Sequence, residues 1–348
     1  MPAEGDRHER TWLAWPSAGY VLGDTGEQAE LARATWGAVA AAVARFEPLS
    51  VVVDPRDADT APGHLPVGTD LHVVPLDDAW ARDTGPTFVL SRPEDGPVRL
   101  GAVDWTFNGW GGQDWASWER DAELAACIAG FAGAQRIDSP LVNEGGGLHV
   151  DGEGTVLLTQ TVQLDPGRNP DWSQEAVERE LARTLGTTRA IWLPRGLTRD
   201  SGRFGTRGHV DLVATFARPG VVLVHDQRDP AHPDHAVSQE VLALLRAETD
   251  AAGRPLEVVP VPAPRRLRDD EGWVDSSYVN HLLVNGGVVA CAFDDPSDDE
   301  AAAVLEQAYP GREVVRVDAR PLFDRGGGIH CITQQQPALP AATAPARA

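Results

Sequence analysis

The chain has 348 residues, and its 30 basic against 52 acidic side chains leave a net charge of −22. A surface this acidic repels phosphate backbones and anionic lipid, so no nucleic acid and no membrane is expected as a partner, and a small cationic molecule suits it better. Cys127, Cys291 and Cys331 are odd in number and far apart. Without CxxC spacing they suggest neither a disulfide framework nor a thiolate zinc site, and they fit a reducing cytoplasm. Residues 1–10 are polar with no apolar h-region, and no apolar run approaches membrane-spanning length, so a cytoplasmic protein is expected. Every basic residue is Arg, which looks like coding bias.

After Trp12-Leu13-Ala14-Trp15, residues 27–46 form an Ala-rich predicted helix with Leu31, Val39, Val43 and Phe46 on one face, followed by a strand over 49–53. Helix then recurs at 117–131, and helix followed by strand at 173–185 and 190–193, at 236–251 and 256–261, and at 297–309 and 314–317. Ser297 with Glu300 reads as a capping box and Ser173 as an N-cap. These are five units. They make a single domain over 1–336, and the Pro/Ala-rich residues 337–348 hold almost nothing that could join a core, so they are expected to be a flexible tail.

Each unit continues through a loop into a second strand that opens on a polar or glycine-rich motif: Trp80-Ala81-Arg82-Asp83, Asn143-Glu144-Gly145-Gly146-Gly147, Gly208-His209-Val210-Asp211, Ser277-Tyr278-Val279-Asn280-His281 and Gly327-Gly328-Ile329-His330-Cys331. The run Gly145-Gly146-Gly147-Leu148-His149-Val150 parallels Gly326-Gly327-Gly328-Ile329-His330-Cys331. Units repeated at roughly fifty to ninety residues point to a closed ring of blades whose equivalent strand ends meet at the axis. In such a ring Asp83, Glu144, His209, Asp211 and Cys331 converge, with Cys331 on a strand-like run over 329–333 just after a glycine turn.

Taken singly, these residues have ordinary readings: Cys331 as an inert buried thiol, His209 as a core histidine on an apolar strand, Asp83 as the ion partner of Arg82, Glu144 as a turn residue. Together they make a site. Carboxylates raise a neighbouring thiol above its model value of about 8.5, so something positive must offset them. A protonated His209 can pair with the thiolate, and a cationic substrate between Cys331 and the carboxylates lowers the thiol further on binding. A guanidinium group fits, being planar, cationic and able to match paired carboxylates in bidentate fashion, and Trp80 could stack on its face. His225, His232 and His235 lie close in sequence, but Pro230 and Pro233 break the segment and no ligand spacing occurs, so no metal is assigned. Cys127 and Cys291 read as packing residues.

These motifs resemble those of the agmatine deiminase family, within the guanidino-group-modifying superfamily that also contains arginine deiminases and amidinotransferases. The resemblance begins at Met1-Pro2-Ala3-Glu4, His8-Glu9-Arg10-Thr11-Trp12 and Ala14-Trp15-Pro16. It continues through residues 80–87, Asp104-Trp105, Phe107-Asn108-Gly109-Trp110-Gly111-Gly112, residues 143–147 and 208–211, and ends at residues 327–336. It implies an α/β fold, a five-bladed α/β propeller (pentein) of pseudo-fivefold ββαβ units, and a hydrolysis that uses no metal and no organic cofactor. Carried over by motif, Cys331 is the nucleophile, His209 the general acid/base, Asp83 and Asp211 the guanidinium clamp, and Glu144 the acid beside the histidine. Trp80 and Trp110 are read with Asp83 and Asp211 as substrate contacts, and Arg207, where this chain departs from the family, as a contact for the substrate's far end. The implied reaction converts agmatine to N-carbamoylputrescine and ammonia through a thiouronium on Cys331. The expected partner is a small cationic guanidino substrate, and a homodimer is left open.

Around residues 208–211 the family carries polar or acidic side chains and a following Asn, where this chain has Gly205, Arg207 and Leu212. Residues 104–121 carry their own version of the pocket segment, with Trp115 and Trp118. These departures bear on the substrate end remote from the guanidinium. Arg207 either points into the pocket mouth and favours a guanidino compound ending in a carboxylate, or points outward or is neutralised by an acid such as Asp200 and leaves agmatine as substrate. Two further alternatives are an amidinotransferase, in which an amine takes the amidino group from Cys331, and a non-catalytic propeller scaffold.

Overall fold

The computed structural model describes residues 1–93, 96–270 and 272–340. Among these, five mixed sheets repeat one connectivity, in which an antiparallel strand pair is followed by a helix and then by a strand parallel to the second. The sheets are β4 (Thr87–Ser91), β5 (Arg99–Thr106) and β6 (Gln135–Val142); β7 (Leu148–Val150), β8 (Thr155–Thr159) and β9 (Arg189–Leu193); β10 (Ala214–Arg218), β11 (Val221–Asp226) and β12 (Glu257–Pro262); and β15 (Leu282–Val284), β16 (Gly287–Ala292) and β17 (Glu313–Asp318). In the fifth sheet β1 (His8–Ala14) runs antiparallel to β18 (Thr333–Pro337), from Leu13 opposite Thr333 to His8 opposite Pro337. There β2 (Leu49–Val53) and β3 (Asp70–Val73) complete a four-stranded sheet. The first and last strands of the chain therefore share one sheet. A short hairpin, β13 (Arg268–Asp269) with β14 (Gly272–Trp273), lies outside this pattern.

The central strands are β-branched runs buried on both faces, as Leu49-Ser50-Val51-Val52-Val53 is throughout its length, which is how a strand covered by helices reads. The first crossover helix, Gly26–Ala44, starts at a capping box in which Gln28 N–H donates to Thr25 Oγ1 and Thr25 N–H donates to Gln28 Oε1, each at 3.2 Å. Its buried stripe is Ala32, Trp36, Val39 and Val43. Leu31, expected on that face, lies beside the stripe and is 52% exposed.

Other expected boundaries move for local reasons. The helix placed at 117–131 is α-helical only over Leu124–Phe131, preceded by a tighter turn over Asp121–Glu123 whose Asp121 carboxylate accepts the N–H groups of Asp77 and Asp78. The helix placed at 236–251 spans Pro233–Ala247, with Pro233 in the first turn, where its missing N–H costs nothing. Ser173 caps Gln174–Leu185 as expected. Ser297 does not make its expected capping box, since it has helical rather than extended backbone and its side chain makes no cap bond. The expected tail starts too early at 337: Pro337 pairs with His8, and Ala338 N–H donates to Arg7 O at 2.8 Å. Residues 341–348 of that tail lie outside the described residues. Among the described residues no helix is long and apolar enough to cross a membrane.

Candidate active site

The sequence expects each second strand to open on its motif, but the structure puts each motif one step earlier, in the turn that delivers the strand. Trp80 precedes the helical turn Ala81–Thr84 ahead of β4, and Glu144 precedes Gly145–Gly147 ahead of β7. His209 precedes the turn Val210–Leu212, which contains Asp211, ahead of β10. Asn280 lies in the turn ahead of β15 and Cys331 in the turn ahead of β18. A strand sends successive side chains to opposite faces, whereas a turn can aim several polar groups at one point. Two of these turns are bonded directly, Arg82 N–H to Cys331 O at 3.0 Å.

Gly146 marks where the side chains meet. A Cβ placed there would lie 2.5 Å from His209 Nδ1, 3.0 Å from Asp83 Oδ1 and 3.1 Å from Asp211 Oδ2. Only a glycine leaves that space open. Gly327 does the same one step away, since its Cβ would lie 3.1 Å from Cys331 Sγ and 2.6 Å from the Trp80 ring. The Cys331 thiol stands 3.8 Å from Asp211 Oδ2, and Asn280 Nδ2 donates to Sγ at 3.3 Å. Asp83, Glu144, His209, Asp211 and Cys331 are all buried.

Asp83 accepts the Trp110 indole N–H at 2.9 Å and the Gly146 N–H at 3.2 Å. Burial nevertheless pushes its carboxyl up to about 6, with Glu144 and Asp211 adding to the rise against the pull of His209. His209 Nε2 bonds Glu144 Oε2 at 3.1 Å, and its Nδ1 faces Asp83 Oδ1 at 3.8 Å. Burial alone would lower the imidazole pKa, but Asp83 and Glu144 overcome it and raise the value to about 9, so His209 is protonated at neutral pH. Glu144 is also buried, yet the Arg168 guanidinium at 3.0 Å and His209 hold it below the ordinary carboxylate value. Burial likewise opposes ionisation of Asp211, and the His330 Nδ1 bond at 2.7 Å holds it low. The Cys331 thiol is pushed well above its ordinary value by burial first and then by Asp211 and Asp83. His209 Nδ1 and Asp211 Oδ1 are buried without a hydrogen-bond partner, a state that costs free energy until a ligand supplies one.

The flanking candidates divide. Trp110 adopts φ 55°, left-handed and rare for a non-glycine residue, and this brings its indole N–H to Asp83. Its ring stacks on Trp115 at 5.5 Å. Trp80 is buried edge-to-face against Trp36 at 6.1 Å and touches the Cys331 turn through Gly327. Arg207 is half-buried and donates to Gly202 O at 3.4 Å. Asp200 does not neutralise it: the Asp200 carboxylate takes the Thr206 N–H and hydroxyl and the His209 N–H, at 2.6–2.9 Å, and so staples the loop that carries His209. Arg82 does not pair with Asp83 but donates to Gln335 Oε1 at 2.7 Å and His330 O at 3.2 Å.

His225, His232 and His235 bind separate partners, Ser277, the Val274 carbonyl and the Gln227 carbonyl. Cys127 lies on the helix Leu124–Phe131, and Cys291, on β16, donates to Asn280 O at 3.1 Å. Four residues around the site were not expected: Asn280, Arg168, His330 and Glu4. Asn280 occupies the fourth equivalent motif, and that position alone could have found it. Glu4 lies in the N-terminal motif that carries the resemblance but was given no role there, and Arg168 carries no local signal.

Residues 1–337, which include all five turns, match the model of the Porphyromonas-type peptidyl-arginine deiminase family. The chain belongs to that family. It is 60% identical over 338 residues to a Streptomyces coelicolor protein assigned provisionally as an agmatine deiminase, covering 97% of this chain and 98% of that one. It is 41% identical over 362 residues to the agmatine deiminase of Pseudomonas aeruginosa, covering 97% of this chain and 95% of the other. The solved structure of the agmatine deiminase of Enterococcus faecalis superimposes with a TM-score of 0.87 at 32% identity, covering 97% and 95% of the two chains. The mixed α/β fold is thus that of the family's deiminases.

Proposed function

We propose that this protein is an agmatine deiminase, hydrolysing agmatine to N-carbamoylputrescine and ammonia through a covalent thiouronium on Cys331. The observation that carries this reading is the convergence on Gly146 of Asp83, His209 and Asp211, with Cys331 Sγ 3.8 Å from Asp211 and with buried acceptor capacity left open on Asp211 Oδ1. Two carboxylates facing one space suit a planar cation with N–H donors on both edges. The named relatives act on agmatine, and their likeness extends over nearly the whole chain.

In this mechanism the guanidinium binds between Asp83 and Asp211, and its charge offsets the two carboxylates that hold the thiol neutral. As the guanidinium binds, the Cys331 proton passes to solvent, and the sulfur adds to the guanidinium carbon. Protonated His209 gives its proton to the departing nitrogen, which leaves as ammonia. The now neutral His209 takes a proton from water as the oxygen adds to the thiouronium carbon. Collapse breaks the carbon–sulfur bond, the added hydroxyl sheds its proton as the ureido carbonyl forms, and the departing Cys331 thiolate takes up a proton to regenerate the thiol. Glu144, itself fixed by Arg168, keeps the imidazole oriented and its charge favourable.

The same reading takes the five sheets as blades of a five-bladed propeller. Their common connectivity, the β1–β18 pairing and the meeting of all five turns support it. The three free cysteines support a reducing cytoplasm as its location.

A panel of agmatine, arginine, 4-guanidinobutyrate and 3-guanidinopropionate, with native protein and Arg207→Asn, tests the substrate. Native protein should have its highest kcat/KM for agmatine and release ureido product with no added amine. A preference for a carboxylate-bearing compound that Arg207→Asn reverses would overturn the agmatine assignment, and a requirement for an amine acceptor would make the protein an amidinotransferase.

A further inference from the structure

Resting on the clamp role proposed for Asp211, we infer that Glu4, in the N-terminal segment, is a positioning residue of the active site that acts on Asp211 through the His330 ring. His330 Nδ1 meets Asp211 Oδ2 at 2.7 Å, and its Nε2 meets Glu4 Oε2 at 3.1 Å. An imidazole with a carboxylate at each nitrogen satisfies both only by donating from both, so His330 is an imidazolium. Glu4 is fixed in turn, since its Oε1 accepts the Leu283 N–H at 2.8 Å. All three side chains are buried, and Glu4 and Asp211 are held ionised against that burial by His330.

The consequence for the clamp is geometric. With Oδ2 bound to a fixed imidazolium, Asp211 presents its remaining oxygen, Oδ1, which has no partner. Glu4 thus decides both where Asp211 sits and that it is charged, through Oδ2, the same oxygen that the Cys331 thiol faces at 3.8 Å.

The other charged or titratable groups around His330 are Arg82, His149, His281 and Cys331. Arg82 donates to the His330 carbonyl at 3.2 Å and opposes the imidazolium charge. The His149 ring lies 6.2 Å away. His149 Nδ1 accepts the Phe216 N–H at 3.2 Å, so its proton is on Nε2, which faces Thr215 Oγ1 at 2.6 Å and Glu4 at 3.4 Å. His281 is committed to Tyr278 O and the Tyr309 hydroxyl. Glu4, His149 and His330 also bring one ligand-type atom each within 4.8 Å of one another. A metal is nevertheless the poorer reading, because both imidazole nitrogens facing Glu4 carry protons and Arg82 adds positive charge beside them.

Glu4→Gln tests the relay, since glutamine can keep the Leu283 bond while offering His330 Nε2 an N–H in place of a carboxylate. His330 must then become neutral, and Asp211 loses its cation. Nitrogen-15 histidine spectra of the ligand-free protein at pH 7.5 should show both His330 ring nitrogens protonated in native protein and one in Glu4→Gln. With agmatine, kcat/KM should fall about ten- to a hundredfold, mainly through KM, the size expected for loss of one charge-assisted bond. Its acid limb should move to higher pH, because Asp211 then protonates more readily. His330→Asn, which retains an amide donor for Asp211, should recover more of kcat/KM than His330→Ala, and exposed Glu9→Gln should match native protein. An imidazolium His330 in Glu4→Gln, an unchanged KM and acid limb accompanied only by a lower melting temperature, or a stoichiometric metal in purified protein would each overturn the inference. The spectra need no substrate, so failure of the relay is distinguishable from failure of the agmatine assignment.

Discussion

His209 Nδ1 stands 3.8 Å from Asp83 Oδ1, beyond hydrogen-bond reach, and has no other partner, while Nε2 is tied to Glu144 at 3.1 Å. One ring nitrogen is thus anchored and the other faces the space above Gly146, the arrangement a proton carrier needs. His209→Asn should lower kcat by about 10²–10⁴-fold, the usual yield of general acid–base catalysis. Ammonia release measured beside a far-ultraviolet spectrum checks this, with the fold expected to remain.

The two raised pKa values give the pH profile. In the proposed mechanism Asp83 must be ionised to bind the cation, and its carboxyl sits at about 6, above the ordinary range, so binding should be present above that pH and lost as pH falls through it. His209 must carry its proton, and its value near 9 places the alkaline limit there. kcat/KM should therefore be bell-shaped with limbs near these two values. Stability runs otherwise: a raised carboxyl favours the folded state on its acid side, and a raised histidine contributes fully below its unfolded value. Neither group should lower the melting temperature between pH 7 and 6, so a fall in activity there is titration and not unfolding.

Gly146→Ala places a methyl within 2.5–3.1 Å of His209, Asp83 and Asp211. Activity on agmatine should fall at least a hundredfold, an order-of-magnitude expectation for displacing catalytic groups by about 1 Å. Steady-state kinetics check it, and Gly63→Ala, at a glycine that like Gly146 lies in a short helical turn without positive φ but has nothing within 4 Å, controls for the substitution itself.

Much of this was legible in the sequence because it is local. Runs such as Leu49-Ser50-Val51-Val52-Val53 read as buried strands and were found there. The five motifs fell in equivalent places because one connectivity is repeated, and that equivalence gathers Asp83, Glu144, His209, Asp211 and Cys331. Their placement on strands was wrong because polar turn residues sit beside apolar strand residues, and alternation does not mark where a turn ends. The Ser173 cap was read from its local signature and is there, whereas Ser297 matched the pattern without the backbone to use it. The partners of Glu4, though it stands in the quoted N-terminal motif, were illegible for a different reason. Glu4 acts on Leu283 and His330, hundreds of residues along the chain, and no periodicity links such positions.

Trp110→Phe removes the N–H that Asp83 Oδ2 accepts while keeping a ring against Trp115. Loss of a hydrogen bond to a charged group should raise KM about tenfold or more with a smaller change in kcat. Saturation curves for agmatine check the split.

The proposed reaction requires a covalent bond between Cys331 and the substrate carbon. Native protein turning over agmatine should be quenched in acid, digested and weighed by mass spectrometry, alongside Cys331→Ser. The peptide holding Cys331 should gain the mass of agmatine less ammonia, the peptides holding Cys127 and Cys291 should gain nothing, and Cys331→Ser should neither be labelled nor release ammonia. Turnover by Cys331→Ser, or a label carried by another cysteine, would contradict it.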